Sequence, residues 1–427
     1  MAYLIAAFLM LNFNHTMGAN NDSSLHNRKA RTGRQNIDTL QYAVYKGIIE
    51  DKDTKEPLIF ATITVDNANI GTISNSDGEF LLKIDKKLSV KTITVSYIGY
   101  KNLEVEIRSL KSKKNALKME RESVSLGAIN IYPMDPLFLV QSILRKVDEN
   151  YPVEPNMMKG FYRETIKKNR NYVAISEAVV NIHKRGYKQA NNDQIQIYKG
   201  RKSENVKKMD TLLFKLQGGP NTSLLMDVIK NPYILLSDDL VGNYDFAIKT
   251  ITKINDQVHY IIEFKQKPGV ELPLYYGLLY VESQSLALTS ARFSMNLNDK
   301  VEATKIYIRK KPVGVKITLN SANYLVNYRE QNGKWYFNYA RGEVEFKCNW
   351  KRKLFNTNYT AMTEIAITDR DSENVTRFKG SEKFKPNQVL VEKIGQFSDN
   401  NFWGAHNTIE PDQSIEAAIR KLKRKGN

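Results

Sequence analysis

Histidine is the first residue type to inspect for acid–base or metal chemistry, and this chain has little of it. Its 427 residues include five histidines: His15, His26, His183, His259 and His406. A zinc hydrolase needs a His-x-x-Glu pair and a distant third ligand, whereas His259 and His406 are each followed by glutamate four positions later. On a strand, His259 and Glu263 would share a face. With no third ligand, we interpret them as a solvated strand face and predict no metal site.

Nucleophiles are equally sparse. Cys348 is the only cysteine, which excludes a disulfide framework and a multi-cysteine metal site. It alternates with Val344 and Phe346, so we expect an inward-facing structural thiol. The chain has no Gly-x-Ser-x-Gly elbow or glycine-rich phosphate loop, and carboxylate spacing selects no acid–base pair. We therefore assign no catalytic, cofactor-binding or metal residue and no cofactor, and we expect a protein that is not an enzyme.

One stretch is faintly similar to part of a calcium loop, Asn75-x-Asp77-Gly78-Glu79. A full loop needs more acidic ligands and a bidentate glutamate at fixed spacing, which this stretch lacks. Asp77-Gly78 instead has the composition of a tight hairpin, in which glycine supplies a positive φ. We predict a turn here.

The elements around this turn are short strands. Apolar residues alternate at Ile59, Ala61, Ile63 and Val65, a period of two, and polar turn clusters separate such runs up to residue 107. This pattern is typical of a small β-sandwich.

Several pieces of this region match a known domain at the right spacing. They are Gly47, Asp53-Thr54, Pro57-Leu58, Ala61, Gly71-Thr72, Asp77-Gly78, Phe80 and Ser96-Tyr97-Ile98-Gly99-Tyr100. They resemble the carboxypeptidase-regulatory-like domain, a transthyretin-like sandwich of about seven strands, with the strand at 125–133 closing or leaving it. Similar domains occur in TonB-dependent receptors and other envelope proteins of Bacteroidota. Because the remaining chain lacks a plug and the barrel strands of a receptor, the resemblance implies compartment and architecture, not transport.

The second half of the chain predicts a larger β domain. An amphipathic helix is expected over 137–151, with Leu137, Val140, Leu144 and Val147 on one face and Asp135 as its cap. From Lys159 onward strands follow one another through short turns, including Asn332-Gly333, which favours an antiparallel meander. A further helix is expected near 222–230.

Two later segments carry weaker resemblances. The predicted hairpin at 276–293 resembles those of lipoprotein-carrier-like half-barrels, whose apolar concave face suits an acyl chain; the alternative, that its apolar residues simply form a core, is favoured. The end of the chain resembles a carboxy-terminal signature of envelope proteins that carry the regulatory-like domain. The matching residues are Phe402-Trp403, Asn407, Ile409, Glu410-Pro411 and Ile415. Asp412 is expected to cap a final helix.

The amino terminus predicts export. Residues 1–13 form an apolar run too short to span a bilayer, and small residues follow at Gly18 and Ala19, as in a signal peptide. A basic n-region is missing, so a buried amino-terminal helix stays open as the alternative. No cysteine follows that could carry a lipid.

The net charge of +18 raises the question of nucleic acid. Lysine and arginine are spread along the chain, and no nucleic-acid-reading module is present, so we expect no nucleic-acid partner. The same charge would attract anionic lipid or polysaccharide. The alternative is a basic surface that has no dedicated partner.

These patterns together predict a mainly β protein, with a seven-stranded transthyretin-like sandwich followed by a larger antiparallel curved sheet or half-barrel with a few helices. The expected divisions are a signal peptide (1–19), linker (20–40), sandwich (41–133), connecting helix (134–152), β domain (153–380) and carboxy-terminal segment with a helix (381–427).

The favoured function is a non-catalytic protein of the periplasm or outer membrane, without a transmembrane helix after signal removal. It would bind an envelope protein or an apolar or anionic ligand, with peripheral association with the outer membrane. A lipid or lipoprotein carrier is the first alternative and a glycan or cell-wall hydrolase the last.

Overall fold

The computed structural model describes residues 11–12, 41–122, 134–189, 192–204, 215–254, 257–308, 313–351, 354–396 and 402–423. Of the predicted signal peptide and linker, only Leu11–Asn12 is described, as a short strand β1. The strand expected at 125–133 lies outside the described residues. Export and the division of the chain into domains therefore stay predictions.

The first part of the chain is a two-layer sandwich of seven strands, as predicted. Its strands are β2 (Tyr42–Asp51), β3 (Thr62–Val65), β4 (Gly71–Ile73), β5 (Glu79–Asp85), β6 (Thr92–Ser96), β7 (Leu103–Glu106) and β8 (Asn115–Met119). One sheet has the order β5-β2-β8 and the other β4-β3-β6-β7. Alternate side chains from both sheets, such as Ile49, Ile63 and Leu82, fill the space between them.

The Asp77-Gly78 segment is a turn, as predicted. Gly78 has a φ of 74°, which only glycine adopts without strain. The Asn75 side-chain oxygen accepts hydrogen bonds from the backbone N–H of Asp77 and of Glu79, at 2.9 and 2.8 Å. This oxygen thus holds the turn together, as turn chemistry requires.

The connecting helix has nearly the predicted extent but is divided in two. Two helices, α1 (Pro136–Arg145) and α2 (Val147–Asn150), replace the single expected one, with Lys146 between them. The Asp135 cap is confirmed, since its side chain accepts from Leu137 N at 3.0 Å. Leu137 itself is partly exposed, and the buried stripe is instead Leu139, Val140 and Ile143. The predicted face was therefore right at Val140 and wrong at Leu137.

The second part of the chain is built on one large open sheet. Its strands are β9 (Asn156–Lys168), β10 (Asn171–Lys184), β11 (Gln194–Glu204), β13 (Tyr244–Ile254), β14 (Gln257–Gln266), β15 (Tyr275–Glu282), β16 (Leu288–Met295), β17 (Val315–Gln331), β18 (Lys334–Trp350), β19 (Thr357–Asp371) and β20 (Gly395–Gln396). Their spatial order is β13 through β19, then β9-β10-β11-β20. All neighbours are antiparallel except β11 and β20, and the edges do not meet. A further strand, β12 (Lys215–Leu216), pairs with β1.

The meander prediction is correct within two blocks, β9–β11 and β13–β19. The prediction misses how the two blocks join. Strand β19, the last of the second block, pairs with β9, the first of the first block, and Glu364 lies opposite Arg163. The Asn332-Gly333 turn is confirmed: both residues have positive φ, 52° and 73°, as a type I′ hairpin requires.

One face of the sheet forms the main apolar core. Short helices cover it: α1, α2, α3 (Pro220–Leu225), α4 (Asp238–Val241) and α5 (Lys300–Tyr307). The helix predicted near 222–230 therefore begins earlier and ends at Leu225. Single 3₁₀ turns occur at Ile107–Ser109, Pro232–Ile234 and Leu390–Glu392. Large buried side chains such as Tyr162, Tyr275 and Phe293 pack between sheet and helices. Within the described residues, no helix is long and apolar enough to cross a membrane.

The opposite face carries the sandwich and the carboxy-terminal segment. Phe60 of the sandwich stacks on Tyr339, with ring centroids 5.4 Å apart. Trp403 packs edge-on against Phe161 at 5.4 Å, and Ile415 packs on Ile175. The sandwich and the large sheet are therefore joined through apolar contacts.

The carboxy-terminal signature consists of docking residues. The Asn407 side chain bonds both backbone groups of Lys83, accepting from N at 2.7 Å and donating to O at 3.0 Å. Glu410 pairs with Lys46 at 2.6 Å. Asp412 accepts from Ile415 N at 2.7 Å and so caps α6 (Gln413–Lys423), as predicted. This segment bridges the sandwich and the sheet.

A charged cluster lies under this bridge. Arg163, 1% exposed, donates to Glu177 at 2.9 Å, to Glu364 at 3.0 Å and to the carbonyl of Ile409 at 2.7 Å. Burial opposes ionisation of Glu177, but the charges of Arg163 and Arg201 outweigh it and hold its pKa below the usual range. The cluster links three strands to the carboxy-terminal segment.

We expect Arg163→Met to lower the free energy of unfolding by about 3–5 kcal/mol, because it leaves buried carboxylates short of a partner. Urea unfolding followed by circular dichroism measures the change. The matched control is Arg108→Met, since Arg108 is 84% exposed and pairs only with nearby Glu106. A loss for Arg163→Met no larger than that of the control would contradict this role.

The stability of the docked segment should depend on pH through His406. Burial lowers the pKa of His406 to about 4, with further lowering by Lys159, Lys83 and Lys199. The unfolded chain takes up this proton near pH ~6.5, so stability falls as pH drops from there towards 4. We expect His406→Gln to reduce that loss, measured as urea midpoints at pH 7 and pH 5. An unchanged difference between the two midpoints would contradict it.

Candidate functional site

A cleft of about 270 Å³ lies between the sandwich and the large sheet. From the sandwich, the segment before β3 and the end of β6 face it; from the sheet, β15, β16 and β17 face it. Clefts at domain interfaces are common ligand sites. The lining residues include Phe60, Tyr97, Ile98, Tyr280, Arg292, Asn327 and Trp335.

Cross-strand register brings the sheet residues of the cleft together. Ser290 lies opposite both Tyr280 and Asn327 in the register of the three strands. Arg292 is two residues along from Ser290, so it projects from the same face. The Ser290 hydroxyl donates to Asn327 Oδ1 at 2.7 Å, which fixes the floor of the cleft.

The sandwich contributes Phe60 through a strained backbone. Phe60 has a φ of 63°, a conformation uncommon for a bulky side chain. Its N–H donates to Ser74 O at 3.2 Å, and the Ser74 hydroxyl donates to Leu58 O at 2.7 Å. Because Phe60 has this left-handed conformation, the alternation of inward- and outward-facing side chains expected from Ile59 onward is broken. Ile59 is 39% exposed, and the Phe60 side chain faces the large sheet.

Three polar groups in the cleft have no protein partner. The hydroxyls of Tyr97 and Tyr280 and the Arg292 guanidinium make no hydrogen bond or ion pair with any residue in the described ranges. Burial raises the pKa of both tyrosines, while the charge of Arg292 acts in the opposite direction. Both phenols therefore stay protonated at neutral pH and are available as donors. Together with aromatic walls, this set suits an anionic group on an apolar or ring-shaped body.

A second cavity, of about 220 Å³, opens beside the charged cluster. Its lining contains Asn75, Arg163, Arg341, Glu364 and Asp412, among others. Arg341 pairs with Glu343 at 2.9 Å and with Glu364 at 3.4 Å. Because its main charges are already paired, this cavity has a structural explanation. A third, of about 470 Å³, lies near the start of β9.

The histidines singled out by sequence do not form a site. His259 is fully buried, so its interpretation as a solvated residue was wrong: its Nδ1 lies 2.9 Å from Gln257 O and its ring contacts Trp335 edge-on. Glu263 pairs instead with Lys249 at 3.2 Å. No group of three or more His, Cys, Asp or Glu side chains in the described ranges is arranged to hold a metal ion.

The inward position of Cys348 is confirmed. It is fully buried in β18, and burial raises the pKa of its thiol to about 12. A thiol this basic is a poor nucleophile at neutral pH.

The residues of the cleft were missed by sequence reasoning. Tyr97 was assigned a structural place in Ser96-Tyr97-Ile98-Gly99-Tyr100. Arg292 occupies a polar position in a strand of alternating polar and apolar residues. In the sequence, a ligand-binding arginine at such a position cannot be told from a solvated one. No local signal distinguishes these residues, since the site forms only when the two parts of the chain pack together.

Residues 45–131 match the family model of the CarboxypepD_reg-like domain. This confirms the resemblance found in the sequence. No curated protein matches the chain.

Solved structures match the chain with low scores. A DUF1329 family protein from Desulfovibrio piger is 12% identical over 58% of this chain and 99% of that one, with a TM-score of 0.24. A putative outer membrane lipoprotein-sorting protein domain from Vibrio parahaemolyticus is 10% identical over 57% and 94%, with a TM-score of 0.24. A LolA superfamily protein from Nitrosomonas europaea is 14% identical over 56% and 97%, with a TM-score of 0.19. Scores this low support no inference about function.

Proposed function

We propose that this protein is a non-catalytic binding protein of the cell envelope that holds an anionic ligand in the cleft between sandwich and sheet. The observation that carries the proposal is the set of partnerless polar groups at Tyr97, Tyr280 and Arg292. All three groups are open to solvent, so a ligand that enters the cleft can reach them and replace water as their hydrogen-bond partner.

The chemistry of the cleft favours a carboxylate or phosphate. A guanidinium binds such groups through two parallel hydrogen bonds, and the two phenols can each donate one more. The lining also includes Ile98 and Trp335, which can contact an apolar or sugar-like body. The net charge of +18 also attracts anions over longer distances.

The lining favours binding over reaction. The described side chains around the cleft include hydroxyl, amide, guanidinium and aromatic groups but no histidine, cysteine or carboxylate. Histidine is the commonest general acid or base in enzymes, and carboxylates are also frequent. We therefore propose binding without turnover.

The carrier alternative places the ligand elsewhere, on the apolar face of the sheet. That face packs against α1 to α5 through buried aromatic side chains such as Tyr275 and Phe293. An acyl chain would have to displace part of this packing, so the carrier function requires the helices to move. A lipid or lipoprotein carrier remains our second candidate on this condition.

We expect Arg292→Ala to weaken binding of an anionic probe about tenfold or more, since a hydrogen bond to a charged group contributes roughly 1.5–3 kcal/mol. Isothermal titration calorimetry would compare glucuronate with glucose and benzoate with benzyl alcohol. Tyr97→Phe should give a smaller loss. Arg108→Ala is the control, since that exposed arginine lies outside the cleft.

Failure of both anions to bind the wild type would contradict the cleft proposal, as would equal binding by Arg292→Ala. An acyl chain that co-purifies with the protein in native mass spectrometry, and persists in Arg292→Ala, would favour the carrier instead.

We also propose that the protein is exported, on the basis of residues 1–19. A carboxy-terminally tagged chain should be recovered from the periplasmic or outer-membrane fraction with its first residues removed, as shown by intact mass. A stable cytoplasmic pool of uncleaved chain would contradict this.

A further inference from the structure

Three connections between strands lie side by side at one end of the large sheet. They are the approach to β17 at Val313–Gly314, the chain after β18 from Lys351, and the β9–β10 turn at Asn169–Arg170. Backbone contacts join them: Lys351 N donates to Gly314 O at 3.0 Å, and Asn169 N donates to Asn358 O at 2.7 Å. We call this end of the sheet the basic tip.

The basic tip exposes large apolar side chains. Val313 is 97% exposed, Leu354 97% and Phe355 83%. These are the highest values among the large apolar residues in the described ranges. Burying apolar side chains away from water is favourable, so these three residues provide a driving force for association at one place.

The tip is also positively charged. Lys316, Lys347 and Lys351 are exposed, and none forms an ion pair with a residue in the described part of the chain. Arg170 is exposed in the neighbouring turn. The nearby carboxylate, Glu345, accepts hydrogen bonds from the side-chain amides of Asn320 and Asn358.

The sequence adds cations next to the apolar residues. Arg309, Lys310 and Lys311 precede Val313 by a few positions, and Arg352-Lys353 comes immediately before Leu354. In the sequence of both connections, a run of basic residues thus precedes the apolar ones, and a combination of basic and apolar residues is typical of membrane-surface segments.

We propose that the basic tip docks onto the surface of an anionic lipid bilayer. Val313, Leu354 and Phe355 enter the boundary between headgroups and acyl chains, and the lysines bind lipid phosphates. Basic groups near such a surface are attracted to its negative charge, and insertion of three apolar side chains adds the second attraction that stable anchoring needs.

Charge favours a bilayer over a protein partner as the occupant. The apolar groups lie on turns at the end of the sheet, beside four exposed basic residues and one nearby carboxylate, Glu345, whereas interface cores of protein partners are depleted of charged residues. The inference deepens the envelope location proposed above but does not depend on the cleft ligand.

The test is co-sedimentation of the full-length chain with vesicles of phosphatidylcholine alone or with added phosphatidylglycerol. Wild type should bind the anionic vesicles and release at high salt, with little binding to phosphatidylcholine. Leu354→Ser with Phe355→Ser should weaken binding at least tenfold, and so should Lys347→Glu with Lys351→Glu. The matched controls are Leu137→Ser with Phe138→Ser, partly exposed on α1, and Lys111→Glu with Lys118→Glu on the sandwich. Both should bind as wild type does.

Circular dichroism and thermal unfolding would establish that each variant is folded. Wild type that ignores anionic vesicles, or tip variants that bind like their controls, would overturn the proposal. A wild-type oligomer that the tip variants dissociate, seen by analytical ultracentrifugation without lipid, would overturn it in favour of protein contacts. Arg292→Ala should bind vesicles normally, so failure of the cleft proposal leaves this result intact.

Discussion

The buried guanidinium of Arg163 is the interaction on which the assembled structure depends. Placing a full charge away from water is unfavourable unless it is paired and hydrogen-bonded. Three parts of the chain supply the partners of Arg163: β10 supplies Glu177, β19 supplies Glu364, and the carboxy-terminal segment supplies the carbonyl of Ile409. Joining β9 to β19 aligns the two blocks of strands, and the bridge above them holds the sandwich against the sheet. The cleft exists only because these three parts meet.

Much of the architecture could be predicted from local patterns. Alternation with a period of two identified the strands, and Asp135, Asp412 and Asn332-Gly333 marked caps and a turn through chemistry confined to a few residues. The pairing of β9 with β19 could not be predicted, since the register of strands some two hundred residues apart leaves no local trace. His259 was misplaced for a related reason: its exposure depends on Trp335, which arrives from another hairpin.

The candidate site was less predictable than the fold. Tyr97 and Arg292 each look ordinary in their own strand, and their meaning comes from packing between domains. Phe60 is the clearest example, because its positive φ reverses the side of the strand on which the aromatic ring falls. By contrast, the carboxy-terminal signature was recognised as a motif before its role was known. Its residues Asn407 and Glu410 hold the sandwich by bonds to Lys83 and Lys46.

The longest strands of the sheet, β17 and β18, have 17 residues each and run from the basic tip towards the cleft. Asn327, at the cleft, lies twelve residues beyond Val315 on β17, roughly 40 Å at ~3.3 Å per residue. A paired ribbon of this length acts as a stiff spacer. If the tip end of this ribbon rests on a lipid surface, the cleft lies beyond the headgroup layer and several Debye lengths from the charge of that surface. Ligand capture there would then be insensitive to the lipid composition beneath it.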